Sequence, residues 1–440
     1  MNTIVVKFGG TSLASAGQIR KAADIVRADP ARRYMVASAP GKRTSDDIKV
    51  TDLLYRCYDE AAAGQDFTDT LALIEGRYAD IIRDLGVTFD LASEIAVLRE
   101  HLASAPDRDY MASRGEYLNA RIIAVYLDRP FVDPAQTIFF HENGTLDEER
   151  TFRALGECLA QLDTAVIPGF YGAMPDGSVH TFSRGGSDIT GSIAAQASRA
   201  DLYENWTDVS GMLSADPRVV KDPRVIDYIT YTELRELSYM GASVLHEDAV
   251  FPVRKAGIPI NIRNTNHPDD PGTMIVPVAK PEAQKRIVTG VAGRKGFTSI
   301  AIEKSMMNSE VGFTARLLTI LAEHGVAFEH CPSGIDTISV VVNTEHFNHA
   351  REAILLAIQK ELEPDAMTVE DDLAMLAVVG RGMVYAKGTA ARIFKALADA
   401  DINIRMIDQG SSELNIIVGV AGSDYEDAIR AIYHAMEPLM

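Results

Sequence analysis

The segment Val5-Val6-Lys7-Phe8-Gly9-Gly10-Thr11-Ser12 sets a lysine just ahead of two adjacent glycines and two hydroxyl residues. Adjacent glycines let backbone N–H groups approach a phosphate closely, and a lysine beside them can neutralise charge on a transferring group. Taken alone, K-x-G-G is equally a plain strand-ending turn. A second segment, Ser183-Arg184-Gly185-Gly186-Ser187-Asp188-Ile189-Thr190-Gly191-Ser192, is glycine-rich and then helix-forming. Arg184 offers a fork of donors ahead of a helix N-terminus, a good receptor for a carboxylate, while Ser187 and Asp188 read as readily as helix caps. A third, Trp206-Thr207-Asp208-Val209-Ser210-Gly211 with Ala215-Asp216-Pro217-Arg218 behind it, reads alone as an exposed capped turn. The sequence has no G-x-x-x-x-G-K-[ST], no G-x-G-x-x-G and no H-R-D, so the common phosphate-binding folds lose support.

The elements that must position these groups follow from hydrophobic pattern. Over roughly the first 285 residues, short apolar runs alternate with longer helical patterns, the signature of an α/β fold with a mostly parallel sheet covered by helices. Candidate strands are Thr3 to Phe8, Tyr34 to Ala37, Thr164 to Ile167, Leu202 to Trp206 and Ile258 to Ile262. The first three end in FGGTS, SAPGK and PGFYG, and such strand-end loops are where open α/β sheets bind ligands. Residues near 51 to 128 read as a helical block, with apolar spacing at Ile95 to Leu102 and Leu118 to Leu127.

From Ile287 the texture changes. Residues 312–342 match 388–418 without a gap, at an offset of 388 − 312 = 76. Gly312, Ala315, Arg316, Leu321, Ala322, Gly334 and Val342 recur as Gly388, Ala391, Arg392, Leu397, Ala398, Gly410 and Val418, and the apolar positions coincide as well. Each copy reads as a strand, a glycine, an amphipathic helix and two strands, which suits a small βαββαβ unit used in tandem.

With 440 residues and 47% hydrophobic content, the chain can fill several cores. A net charge of −19 disfavours nucleic acid and anionic membrane as partners and favours small ligands. Three cysteines, Cys57, Cys158 and Cys331, without a CxxC pair, argue against a disulfide framework or a thiolate zinc site. There is no signal-peptide pattern and no apolar run near the ~18 residues of a membrane span, so a soluble cytoplasmic protein is expected.

Taken in order, KFGGTS, the SRGE at Ser113 to Glu116, RGGSD at Arg184 to Asp188, WTDVSG-x4-DPR at Trp206 to Arg218 and GASVLH at Gly241 to His246 resemble the motifs of aspartokinases. The duplicated units resemble that family's regulatory ACT domains. The resemblance implies a three-layer amino-acid kinase domain over 1–285, ferredoxin-like ACT domains over 290–366 and 371–440, and a last strand near Ala428 to Met440 returning to complete the first. It implies transfer of the γ-phosphoryl group of ATP, with Mg2+, to the β-carboxylate of L-aspartate. It also implies a homodimer or larger assembly through the ACT domains.

Carried onto this chain, the family pattern assigns Lys7 to the phosphoryl group and Gly9, Gly10, Thr11 and Ser12 to the nucleotide phosphates. Arg184, with Gly185, Gly186 and Ser187, takes the aspartate α-carboxylate, and Glu116 takes its α-ammonium. Ser38 and Thr51 match the substrate-loop serine and threonine, Asp188 orients the charged centre, and Thr207, Asp208 and Arg218 fall on nucleotide positions. No side-chain metal site is expected. The substrate carboxylate is already ionised at neutral pH, so alignment and charge neutralisation suffice without a strong general base.

The sequence departs from that pattern at Leu213, where a tyrosine is frequent, at Ser243, where many relatives have lysine, and at Glu247 after His246. The stretch Pro40 to Asp47 resembles an insertion whose Lys42 and Arg43 suit either a phosphate-side lid or a solvated loop. In the first repeat, free N–H groups after Gly312 and the carboxylate of Glu329 are candidates for an amino-acid effector, lysine or threonine; the alternative there is an ordinary capped turn. Two rival readings are a catalytically inactive sensor and another amino-acid kinase, such as one acting on acetylglutamate, whose acylated nitrogen has no use for Glu116.

Overall fold

The computed structural model describes residues 2–183, 185–242, 245, 247–278 and 286–440. The chain divides into two compact units, Met1–Met212 with Val225–Tyr231 and Val244–Ala279, and Leu213–Arg224 with Thr232–Ser243 and Lys280–Met440. Two short segments inside the expected 1–285 kinase span therefore pack with the C-terminal unit.

In chain order the first part comprises β1 (Ile4–Phe8), α1 (Ala16–Ala28), β2 (Arg32–Ala37), α2 (Val50–Ala62), α3 (Thr68–Leu85), α4 (Leu91–Ser104), α5 (Arg108–Leu127) and α6 (Glu148–Ala160). It continues with β3 (Ala165–Pro168), β4 (Tyr171–Ala173), β5 (Val179–Thr181), α7 (Gly186–Ala197), β6 (Leu202–Thr207), β7 (Tyr228–Thr230), α9 (Glu247–Ala256), β8 (Ile260–Asn264) and β9 (Thr273–Val276), while α8 (Tyr231–Tyr239), from Thr232 on, belongs to the second unit. The main sheet has the order β3-β2-β1-β6-β8-β9-β7 and is parallel except where β8 meets β9. From β1 the chain builds outward to β2 and β3, then crosses to β6 on the other side, so the topological switch lies between β1 and β6. Val6, Phe8, Met35, Ala37 and Trp206 turn one face of the sheet into the core shared with α1 to α5. Lys7 and its register partner Asn205 point to the opposite face, where α7 packs on β1, β2 and β6. The result is a three-layer α/β arrangement. Among the described residues no helix is long and apolar enough to cross a membrane.

The second unit holds β10 (Gly290–Glu303), α10 (Phe313–Glu323), β11 (Phe328–His330), β12 (Thr337–Asn343), α11 (Thr344–Asn348), α12 (Arg351–Leu362), β13 (Ala366–Val379), α13 (Thr389–Asp399), β14 (Met406–Asp408), β15 (Asn415–Ala421) and α14 (Tyr425–Met436). The 76-residue repeat is visible in the backbone: Gly312 and Gly388 are both left-handed, at φ +87° and +89°, and each starts a helix of identical length. Only a residue without Cβ takes that turn at no steric cost. The sheet order is β11-β12-β10-β13-β15-β14. The two long strands β10 and β13 pair antiparallel from Gly290↔Val379 to Glu303↔Ala366. β12 uses the second half of β10, whereas β15 uses the second half of β13. The first half of each long strand therefore completes the other repeat. The expected returning strand near Ala428 to Met440 is not there; those residues belong largely to α14, whose Ala428, Ile429, Ile432 and Met436 stripe has helical spacing and enters the core.

Candidate active site

The ends of β1, β2 and β6 deliver the site. Phe8 runs into Gly9, whose N–H donates to the Trp206 carbonyl at 2.9 Å, and Ser38 follows β2 with its N–H on the Phe8 carbonyl at 3.3 Å. The Gly41 N–H reaches the Gly10 carbonyl at 2.8 Å. A Cβ on Gly41 would lie 2.6 Å from the Gly10 carbonyl carbon, so glycine is required for that approach. Buried Arg77 of α3 ties the following loop down, donating to the Gly41 carbonyl at 2.8 Å and to Asp47 at 2.9 Å. Arg43 also donates to Asp47 at 2.9 Å, and Lys42 to the Ser45 carbonyl at 3.3 Å. The hydrogen bonds from Arg43, first among several causes, hold the Asp47 carboxyl well below the usual carboxylate range. In this structure Lys42 and Arg43 thus belong to an exposed, internally bonded loop.

A cavity of about 210 Å³ opens at these strand ends, lined by Lys7, Ser38, Thr51, Glu116, Phe170, Gly185, Gly186, Ser187 and Asp188. Eight of these nine are residues singled out above from sequence. Lys7 is 7% exposed and its Nζ lies 2.5 Å from Asp188 Oδ1. The N-terminus of α7 has Gly185 as its cap, at φ +59° and with no side-chain capping bond. Ser187 and Asp188 sit in the first turn and do not cap the helix, which leaves backbone N–H groups and the positive end of its dipole available to an anion.

Glu116 comes from the middle of α5. Gly115 lets that helix close on the β2 loop, since a Cβ there would meet Ala39 Cβ at 2.8 Å. Asn119, one turn on, donates to the Ser38 carbonyl at 2.7 Å. Glu116 Oε2 is buried and has no hydrogen-bond partner among the described residues. Burial pushes its pKa up to about 8, with the Ala39 backbone, its own backbone and the Lys7 charge pulling the other way. A buried carboxyl oxygen lacking a partner is costly and suits an incoming cation.

Other predicted positions lie outside that lining. Gly9 abuts Lys7, whose Nζ would be 3.7 Å from a Cβ there. Gly10, Thr11 and Ser12 form the turn beyond, where Ser12 accepts from the Thr265 hydroxyl at 2.8 Å. Thr207 ends β6, and its hydroxyl donates to Asp208 just beyond the strand at 3.2 Å. Arg218 belongs to the second unit, 87% exposed and paired with Asp216 at 2.7 Å. Arg184, Ser243 and His246 lie outside the described residues, as does Lys285, where the expected kinase span ends. Gly312 starts α10 without a side-chain cap. Glu329, the expected ammonium partner, instead accepts from the Tyr239 hydroxyl and from Arg294, at 3.4 Å for the latter. Burial, and next the bond to Glu329, push the Tyr239 phenol up to about 12, so it remains a donor. Sequence reasoning missed Phe170, held in the cavity wall at φ +85°, because no local signal marks a non-glycine residue in that region.

The amino acid kinase family model matches residues 2–264, and an ACT domain model matches residues 376–436. Aspartokinase 3 of Bacillus subtilis is 40% identical over 98% of this chain and 97% of its own. The aspartate kinase of Clostridium acetobutylicum, solved as a crystal structure, is 48% identical with a TM-score of 0.90 over 100% of both chains. Aspartokinase III of E. coli is 25% identical; its complex with aspartate and ADP matches with a TM-score of 0.76 over 98% of this chain and 99% of its own. Its complex with lysine and aspartate matches at 0.70 over 99% of each.

Proposed function

The chain belongs to the aspartokinases of the amino acid kinase family, and on that premise we propose how its own residues carry the reaction: the 210 Å³ cavity aligns the β-carboxylate of L-aspartate with the γ-phosphoryl group of ATP and yields 4-phospho-L-aspartate. The observation that carries this reading is the buried Glu116 carboxyl, whose Oε2 has no hydrogen-bond partner among the described residues, facing the same cavity as Lys7 and the uncapped start of α7. Glu116 receives the α-ammonium. The α7 N–H groups at Gly186 and Ser187, with Arg184, receive the α-carboxylate. Ser38 and Thr51 hold the side-chain end, and Phe170 closes the wall. Lys7 neutralises the transferring phosphoryl group, Asp188 keeps its ammonium in place, and Gly9 and Gly10 lead the phosphates along the strand-end turn. Thr11, Ser12, Thr207, Asp208 and Arg218 are assigned to the nucleotide.

Among the described residues no three His, Cys, Asp or Glu side chains converge as a metal site. Mg2+ is assigned to the nucleotide phosphates, where it would supply charge neutralisation, its usual mode in kinases. The ACT repeats are assigned an amino-acid effector, lysine or threonine, and assembly into a homodimer or larger. An effector ammonium that uses Glu329 has first to displace Tyr239.

The test is a coupled assay for ADP release with ATP and L-aspartate. Wild type should turn over aspartate and ignore N-acetylglutamate, and Lys7→Ala should lose roughly 100-fold or more of kcat while keeping its circular dichroism, as loss of one preorganised charge contact does elsewhere. No aspartate-dependent turnover would favour the inactive-sensor reading.

A further inference from the structure

We infer that Asn205 is a positioning residue for the phosphoryl-binding lysine, acting through Asp188. Asn205 sits on β6 directly opposite Lys7 in the β1 register and is 3% exposed. Its Nδ2 donates to Asp188 Oδ1 at 2.8 Å, and the same oxygen lies 2.5 Å from Lys7 Nζ. Two residues earlier on the same strand face, the Tyr203 hydroxyl donates to the Asp188 backbone carbonyl at 3.3 Å. α7 can sit this close to Tyr203 only because position 191 is glycine, since a Cβ there would come within 2.4 Å of that hydroxyl. β6 thus grips Asp188 by both its side chain and its backbone.

The chemistry explains why an amide suits this position. A carboxylate in the first turn of a helix with free N–H groups can turn back onto those groups, which would release Lys7 and occupy the anion site. A neutral N–H donor fixes Oδ1 where the lysine meets it. A cation at 205 would compete with Lys7 for Asp188. A carboxylate there would repel it, and an apolar side chain would leave it unrestrained. Asn205 touches no substrate in this scheme; it determines where the Lys7 ammonium rests. The inference rests on the reading of Lys7 as the phosphoryl-binding group.

The experiment measures kcat, both KM values and Tm across pH for wild type, Asn205→Leu and Asn205→Asp. Asn205→Leu should lower kcat about 10- to 100-fold, the range expected for losing a hydrogen bond to a charged group, with KM for aspartate within about threefold. In Asn205→Asp two adjacent carboxylates share a proton whose pKa is raised. Its kcat should therefore climb as pH falls, because the introduced carboxyl then donates an O–H to Asp188 in place of the amide. A purely structural role would not produce that reversal, and it remains diagnostic should the leucine variant fail to fold. An active wild type with kcat of Asn205→Leu unchanged, with both KM values and Tm moving in step, or with an Asn205→Asp profile like that of wild type overturns the inference alone. A wild type that turns over no aspartate overturns the parent reading and takes this inference with it.

Discussion

Glu116 has a raised pKa because burial removes water from its carboxylate before a cation has arrived to replace it. The free site therefore holds a proton at neutral pH, and under the proposed assignment of Glu116 to the aspartate ammonium, substrate binding must expel it. KM for aspartate should fall about tenfold per pH unit on approach to pH 8 and then level, while kcat, measured with the site filled, changes little. Glu116→Gln should weaken aspartate binding and abolish that slope, leaving KM for ATP much less affected; steady-state kinetics across pH checks it. The same residue bears on stability. Its folded pKa lies above its ordinary value, so stability fully present below the ordinary carboxyl range is lost progressively as pH rises from that range to about 8. The glutamine variant, neutral throughout, should be more stable than wild type above that pH by on the order of a few kcal/mol, read by urea unfolding below the ordinary carboxyl range and again above pH 8.

At the scale of elements, close packing makes the site. α5 reaches the β2 loop only because Gly115 has no side chain, and a methyl group there would press on Ala39 at 2.8 Å. Gly115→Ala should lift α5 off the loop, moving Glu116 and Ser38 apart, with destabilisation of about 1–3 kcal/mol and a raised KM for aspartate. Thermal unfolding and kinetics check the two parts. The loop that leads into Thr51 depends in turn on Asp47, which Arg43 and Arg77 hold ionised. Because its folded pKa is depressed, that contribution is present at neutral pH and is lost as pH falls below the ordinary carboxylate range. Proteolysis at Lys42 or Arg43 should therefore accelerate in acid before the global transition.

For the whole molecule, regulation is a coupling free energy and must be reciprocal. An amino acid that inhibits binds the inactive arrangement more tightly, so saturating aspartate and nucleotide should weaken its binding in calorimetry. Tyr239 occupies Glu329 in this structure. Tyr239→Phe should remove one of that carboxylate's two partners, leaving Arg294 on the other oxygen, and tighten an effector that uses the vacated oxygen by roughly 10-fold, the worth of a hydrogen bond to a charged group, with basal kcat unchanged. Inhibition curves for lysine and threonine on both proteins decide it, and unchanged potency would count against Glu329 as the ammonium partner.

Much of this molecule was legible in its residues because the relevant information is local. KFGGTS, RGGSD and SRGE carry backbone requirements and charges within a few positions, and the 76-residue repeat reappears as two helices of equal length behind two left-handed glycines. Strand positions followed from apolar runs that must be buried. Other features arose only from distant contacts. Asn205 is an unremarkable polar residue until β6 lies beside β1, and Glu329 is an open carboxylate until Tyr239, 90 positions away in sequence, donates to it. Apolar spacing in α14 fits a helix, yet the need for a closing strand in the first repeat pointed elsewhere, because nothing local shows that β13 supplies it. Pairing partners, and the charge of a carboxylate that burial has desolvated, belong to the tertiary structure, since both depend on what folding brings near and on the water it removes.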